Sequence, residues 1–567
     1  MDNLPQELVE RICGFLTPKD LKNTLTISQS FQYASERASG AYTQFDLTEE
    51  NAQQFHDIYS GRRWAYLRHV RFQTHVPAYD EDEAEGTDEE YFAKHHCRES
   101  AEELRIKDER FTEQIKFVFD TLKTLEGNTS EGKLQLTIFA PIREVRGSCP
   151  HRKCVSWRLH LLSPDTLPKL GSVRALRIDD PTIILPLEED KSLLKIDLRV
   201  LVDLAMKFPR LEYLGCKLFA GSGWTYYYGR EVTKQYARDC DRAGPLRDTR
   251  LEFANAMESA ELPSTLRQAQ LDFLWPLSSA ERIAHDEALP NLVEPNVYDP
   301  FSNSLRLLAS GLRRLELKVV ADVSLLWPID GATSYPNLES VCILLHMSSP
   351  TGRWYFDGPQ GHGHDAQGLE INDQSYPPLE DSTDDEALDE EADDLGLDTE
   401  VIEPKEFRVS PNDELLPPFL AAFAQAASKM PKLKEACLWS PLRWDAPEDF
   451  GDVTDVARHT DCPLAWGITY IAPRTLGFHY EGQHYSESRQ LFWMTGSWRP
   501  RDELRDLFSR IGDQNAELLE YWGLEACGGK EKLPLRDPFD YFQIFDYRNP
   551  GSVWPADKSF ITYKTLQ

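Results

Sequence analysis

One short hydrophobic pattern, apolar-x-x-apolar-x-apolar, returns along the chain at irregular intervals. It occurs at Leu67/Val70/Phe72, Val173/Leu176/Ile178, Leu211/Leu214/Cys216, Leu266/Ala269/Leu271, Leu312/Leu315/Leu317, Leu338/Val341/Ile343 and Leu433/Ala436/Leu438. The last two apolar positions of each copy alternate with polar ones, which is the period of a half-buried strand. Three copies share a lead-in: Phe208-Pro209-Arg210-Leu211, Tyr335-Pro336-Asn337-Leu338 and Met430-Pro431-Lys432-Leu433. Two of these follow plain helical stretches, 193–207 and 415–429. A further strand is expected in the first gap, at 134–139, another at 476–480, and a helix over 501–511 after Pro500. Repetition of a helix–proline–strand unit predicts an α/β chain whose units stack side by side.

The first forty residues follow a different rule. Leu4, Leu8, Ile12 and Leu16 recur every four residues with Phe15 beside them, so one stripe of a helix is apolar. Asn3 reads as its N-cap, with Pro5 in the first turn. Thr17-Pro18-Lys19-Asp20 is a second helix start: a Thr cap, Pro at the first position, an acid three residues on. Leu21 and Leu25 continue an apolar face. A third helix carries Phe31, Ala34 and Ala38 and stops at Gly40. Three helices in so short a span cannot bury their own apolar surface, so the unit needs a partner.

This arrangement resembles the F-box: Leu4-Pro5, Glu7-Leu8, Ile12, Phe15-Leu16, Asp20-Leu21, Leu25, Ser28 and Phe31. Thr24 and Thr26 make the second helix weaker than is usual for it. The resemblance implies docking on the Skp-type adaptor of a cullin–RING ubiquitin ligase, through Leu4, Pro5, Leu8, Ile12, Leu16, Leu21 and Leu25. The repeats resemble leucine-rich repeats, but their spacings of 26 to 106 residues are wider than the 20–29 of regular ones. Together they look like fungal F-box proteins with degenerate leucine-rich repeats. The expected fold is an N-terminal three-helix F-box followed by an irregular leucine-rich-repeat-like α/β solenoid with long insertions. The expected divisions are 1–45 for the F-box, 46–353 for the repeats, 354–404 for an insertion, and 405–567 for a last repeat unit and an aromatic-rich cap. The function implied is a non-catalytic substrate receptor that holds an unknown protein substrate. The alternatives are an F-box scaffold outside ubiquitination and an enzyme with a small-molecule pocket in its C-terminal region.

Charge sharpens the picture. The chain has 567 residues and a net charge of −32, which argues against general affinity for nucleic acid or anionic membranes. Residues 354–404 contain 17 acids and no Lys or Arg, so this stretch is expected to be disordered; Asp80 to Glu90 reads as a similar loop. No run of about 18 apolar residues predicts a membrane span, and the acids Asp2, Glu7 and Glu10 argue against a cleaved leader. The ten scattered Cys suit free thiols in a reducing cytoplasm or nucleus.

Signatures of catalysis are weak. Cys149, His151 and Cys154, with His95, His96 and Cys97, match no standard zinc spacing. His362 and His364 lie among glycines in the acidic stretch, where no defined site is expected. The run from Gly523 to Lys530 imitates a phosphate loop, but Glu531 replaces the needed Ser/Thr. No cofactor or metal is expected. The aromatic residues from Trp439 to Trp498 are expected to fill a core. Side chains between the apolar positions of each strand point to the opposite face. There Arg177, Tyr213, Arg314 and Lys318 are the expected substrate contacts, because Arg and Tyr are usual interface anchors.

Overall fold

The computed structural model describes residues 4–76, 98–127, 133–144, 156–180, 191–219, 243–275, 277–281, 283–326, 335–380, 405–445, 464–475 and 486–523. Three short helices open it: α1 (Gln6–Gly14), α2 (Pro18–Thr24) and α3 (Gln29–Ser39). Beyond them the molecule is mixed α/β, organised by one large sheet. Its strands are β1 (Gln44–Leu47), β2 (His69–His75), β3 (Leu134–Glu144), β4 (Val173–Asp179), β5 (Tyr213–Phe219), β6 (Gln268–Trp275), β7 (Arg314–Val319), β8 (Ser340–Leu345), β9 (Glu435–Leu442), β10 (Leu464–Ile471), β11 (Arg489–Met494) and β12 (Leu518–Trp522). They lie side by side in chain order. Every neighbouring pair is parallel except β9–β10 and β10–β11. The connections carry α4 (Ala52–Tyr59), α5 (Ala101–Glu126), α6 (Arg199–Ala205), α7 (Ala243–Ser259), α8 (Pro300–Ala309), α9 (Leu416–Ser428) and α10 (Asp502–Ser509).

Each of the seven repeated motifs leads into a strand, and the strand expected near 134–139 is β3. Register explains why the motif spacing is fixed. Val70, Leu136, Leu176, Leu214, Ala269, Leu315, Val341 and Ala436 are paired in one continuous row across β2 to β9. Phe72, Ile138, Ile178, Cys216, Leu271, Leu317, Ile343 and Leu438 form the next row on the same face. Every apolar motif position is buried and belongs to one core with Phe119 of α5, Leu201 of α6, Phe253 of α7, Leu305 of α8 and Phe419 of α9. A one-residue slip in any strand would send its whole row to the other face. The C-terminal aromatics Trp466, Tyr470 and Trp493 join this core, and α10 caps it through Leu504 and Phe508. Phe478 and Tyr480, with the strand expected there, lie outside the described residues, as do Asn3, the 80–90 loop and the Cys97, Cys149 and Cys154 group.

Two expectations need correction. The helix expected over 193–207 forms only over Arg199–Ala205. The preceding residues are used as strand: Leu193 pairs with Ile142 of β3, and Lys195 with Arg158. Asp197, two residues ahead of the helix, accepts from Arg199 N–H at 2.8 Å. The acidic stretch 354–404 likewise does not begin as disordered chain. Trp354, Tyr355 and Phe356 are buried, and Phe356–Asp357 pairs with Ser410–Pro411. Residues 358–376 then form an ordered strap, and 381–404 lie outside the described residues. Charge counting missed this because glycine and proline turns and a few anchors order a strap without a buried side chain of its own.

One anchor is His364. Its Nδ1 lies 2.7 Å from Asp357 Oδ2 and its Nε2 3.5 Å from Glu414 Oε1. Arg408 stands 3.9 Å from Asp357, Arg353 pairs with Glu414 at 3.3 Å, and Asn412 donates to Asp357. Asp357 first, then Glu414, raises the His364 pKa above its ordinary value. A raised folded-state pKa stabilises below the unfolded value of about 6.5, and that contribution is lost as pH rises through the folded value. Hydrogen exchange at 358–366, corrected for intrinsic rates, should therefore accelerate as pH rises through that window. In a His364→Gln variant this step should vanish; a step of the same size there would assign it elsewhere.

Candidate functional site

The three helices form, but α1 starts later than expected: Pro5 is its N-cap rather than a first-turn residue, and no side chain caps it. Thr17 Oγ1 accepts from Asp20 N–H at 3.3 Å and Ser28 Oγ from Phe31 N–H at 3.3 Å. Gly40 ends α3 at φ 66°, a left-handed conformation costly for other residues. Val9, Cys13, Leu21, Phe31 and Ala34 make a small core with Leu16 against it. Behind it Thr24 and Ser35 hydroxyls bond at 2.5 Å.

The remaining apolar side chains of the unit point outward. Leu4, Leu8, Ile12, Leu25 and Ile27 are 39–48% exposed and Phe15 is 81% exposed. These are six of the fifteen large exposed apolar side chains among the described residues, gathered in 24 positions. Such a concentration departs from the ordinary scatter of single exposed apolar side chains and makes this face the candidate docking surface. The expected docking stripe is therefore split. Leu4, Pro5, Leu8, Ile12 and Leu25 are exposed, whereas Leu21 is buried in the small core and Leu16 packs on it. α1 ends at Gly14, so Leu16 lies beyond the helix and turns back onto the small core, while Phe15, the C-cap, is left exposed.

A buried carboxylate joins this unit to the sheet. Glu36 of α3 is 4% exposed. Arg62 Nη2 reaches its Oε2 at 2.6 Å and Arg63 Nη2 its Oε1 at 2.6 Å. Burial pushes the Glu36 carboxyl up, but the bonds and charges of Arg63 and Arg62 outweigh it and hold the pKa below the ordinary value. Arg62 also lies over the Tyr33 ring at 3.6 Å and Arg63 over Tyr42 at 4.3 Å. Two guanidinium forks on one carboxylate fix direction as well as distance. Hydrophobic patterning misses this clamp. Its only local signal is an acid at a core-facing helix position and an adjacent Arg pair.

The four expected substrate residues lie on the intended face of the sheet, on or beside polar rungs that run from strand to strand. Arg177, half-buried, pairs with Asp179 at 2.9 Å. Tyr213 is buried; its hydroxyl donates to Gln270 Oε1 at 2.8 Å, and Gln270 Nε2 donates to Glu316 Oε2 at 3.1 Å. Lys318 is buried with its Nζ 2.9 Å from Asp272. Arg314 is half-buried, in register with Gln268 and Ser340. Burial pushes the Tyr213 phenol well up, and it lowers Lys217, set over Trp275 at 4.2 Å, to about 8. Tyr213 and Lys318 are thus not surface anchors. Alternation predicts which face a side chain leaves, not whether that face is open. Asp179, Lys217, Asp272 and Lys318 alternate in sign on successive strands, so the face balances its own charge. Beyond β7 the same positions turn apolar, with Cys342, Leu344, Cys437 and Trp439 clustering with Phe492 and Met494.

Gly215 makes the polar rungs fit. A Cβ there would stand 2.7 Å from the Tyr213 hydroxyl and 2.8 Å from its Cε1. Gly215→Ala should displace the ring from Gln270 and cost about 1–3 kcal/mol, read as a lower denaturation midpoint. An unchanged midpoint would show that the Tyr213–Gln270–Glu316 relay is not under steric control.

Among the described residues no helix is long and apolar enough to cross a membrane. No group of three or more His, Cys, Asp or Glu among them is placed to hold a metal. Cys13, Cys216, Cys342 and Cys437 are buried free thiols. No model of a known protein family matches the chain, and no curated protein matches it significantly.

Proposed function

We propose that this chain is the substrate-recognition subunit of an SCF-type cullin–RING ubiquitin ligase. The observation that carries the reading is the outward apolar face of α1 and α2, formed by residues within the F-box-like stretch. Leu4, Leu8, Ile12, Phe15 and Leu25 would insert into the Skp-type adaptor, and through it the chain would reach a cullin. Leu16 and Leu21 would act indirectly, by holding α1 and α2 at a fixed angle. The long sheet then serves as an irregular leucine-rich-repeat-like solenoid. Its role is to hold a protein substrate at a set distance from ligase subunits that perform the chemistry, so the chain contributes proximity rather than catalysis. Arg177 and Arg314, half-buried and cationic, remain the substrate contacts of choice on the polar face. Tyr213 and Lys318 would support them from beneath.

The docking face separates binding from folding, because its side chains are outside the small core. Leu8→Ala with Ile12→Ala should remove about 2 kcal/mol or more of binding at each site and abolish co-purification with the adaptor. The melting temperature should stay within about 2 °C of the parent, since both side chains are already 41–48% exposed. Retained co-purification would reject the docking assignment. A collapse of the whole chain would make α1 a structural cap instead.

A further inference from the structure

The first polar position of the repeated motif stands at the entry of each strand, and these residues form a ladder of their own. Glu212 N–H donates to Arg174 O at 2.7 Å, Arg267 N–H to Glu212 O at 3.0 Å and Arg313 N–H to Arg267 O at 2.7 Å. Glu339 N–H then donates to Arg313 O and Lys434 N–H to Glu339 O, both at 2.8 Å. One charged residue per strand is thereby set at intervals of ~4.8 Å along the rim where the strands begin.

The ion pairs of this rim leave cations on the outside. Glu339 accepts from Arg313 Nε at 2.7 Å and from Lys434 Nζ at 2.8 Å. The Glu339 side chain is 12% exposed, whereas Arg313 and Lys434 keep 55% and 47%. One covered carboxylate thus serves two open cations. Arg267 is exposed and donates to the Ser264 and Leu266 carbonyls at 2.6 and 3.0 Å. Lys432 is exposed and donates to Asn337 Oδ1 at 2.9 Å. These acceptors are neutral, so both charges add to the surplus. Cations near helix C-termini are common, yet the bonds of these four end on turn carbonyls, Glu339 and Asn337. The segments leading into β5 to β9 (206–212, 260–267, 310–313, 335–339 and 429–434) carry seven Lys or Arg and three acids, Glu212, Glu261 and Glu339. The whole chain carries 62 against 94, so the rim reverses the sign of the molecule.

We propose that this rim is a docking strip for an extended, carboxylate-rich segment of a partner protein. Like charges held at strand spacing repel one another, and a bound run of acids relieves that repulsion. The surplus spreads from β6 to β9, about 14 Å at ~4.8 Å per strand, so a single small anion reaches only part of it. Nucleic acid suits it less. The net charge of −32 repels a long polyanion, while a short segment senses mainly the charges within a Debye length of about 8 Å. For the receptor reading the inference supplies a substrate class, acidic proteins, and it rests on that reading only in calling the partner a substrate.

The test uses the full chain without adaptor, and a fluorescein-labelled decaglutamate read by anisotropy. The parent should bind the probe at low salt, and physiological salt should weaken binding severalfold. Arg267→Gln with Lys432→Gln should weaken it about tenfold and keep the melting temperature, because both side chains are exposed. Arg267→Lys with Lys432→Arg keeps the charges and should keep the affinity. Arg105→Gln with Arg110→Gln on α5 changes net charge equally and should leave the affinity at the parent value. If the first pair lowers the yield of folded protein, Lys432→Glu alone replaces it and should still weaken binding about fivefold. No binding by the parent, equal loss in the α5 pair, or loss in the charge-keeping pair would overturn the docking strip. A labelled oligo-dT of equal charge that binds as tightly would overturn the choice of a peptide. Adaptor co-purification is measured separately, so this inference and the ligase reading can fail independently.

Discussion

The molecule depends on the register of its parallel strands. Because neighbours in the chain are neighbours in the sheet, each strand can bury its apolar pair only by aligning with the pair before it. Two unbroken rows from β2 to β9 result, and five helices pack on them. The opposite face inherits the same alignment. Charged side chains there meet opposite charges on adjacent strands, so Asp179, Lys217, Asp272 and Lys318 can be buried together. Without the register that face would hold unpaired charges in a poorly solvated place, a cost of several kcal/mol each.

Register also gives the N-terminal unit something rigid to be attached to. The Glu36–Arg62–Arg63 clamp joins α3 to the turn that leads into β2, the strand that continues both apolar rows. The exposed apolar face of α1 and α2 is thereby tied to a sheet of twelve strands in a row, about 50 Å across at ~4.8 Å per strand. On the proposed reading as a substrate receptor, that attachment would matter as much as affinity.

The repeated motif made the strands legible, including β3, because a period of two bounded by turn residues suits a strand and not a helix. The start of α2 at Thr17 and the end of α3 at Gly40 were equally legible, whereas the Ser28 cap of α3 was not read. Features created by distant pairs were not. Nothing local marks Glu36 as the partner of Arg62 and Arg63, or Gly244 as the seat of Tyr376 more than a hundred residues later. The strap failed for the same reason. Its composition is that of disordered chain, and it is ordered by side chains from α7, by Asp357 and by Glu414 on the approach to α9. The four residues expected to contact a substrate do lie on the face opposite the apolar rows, but Tyr213 and Lys318, taken as exposed, are buried there. Their burial depends on a face that neutralises itself, which pattern alone does not reveal. Within the N-terminal unit, Leu16 left the expected stripe because α1 ends at Gly14, before the pattern's last repeat.

Hydrogen exchange of the intact chain with and without a purified Skp-type adaptor addresses the central claim most directly. The account predicts slowed exchange confined to residues 4–27, with β2 to β9 unaffected. Equal exchange in the presence of saturating adaptor, or protection only on the sheet, would contradict it.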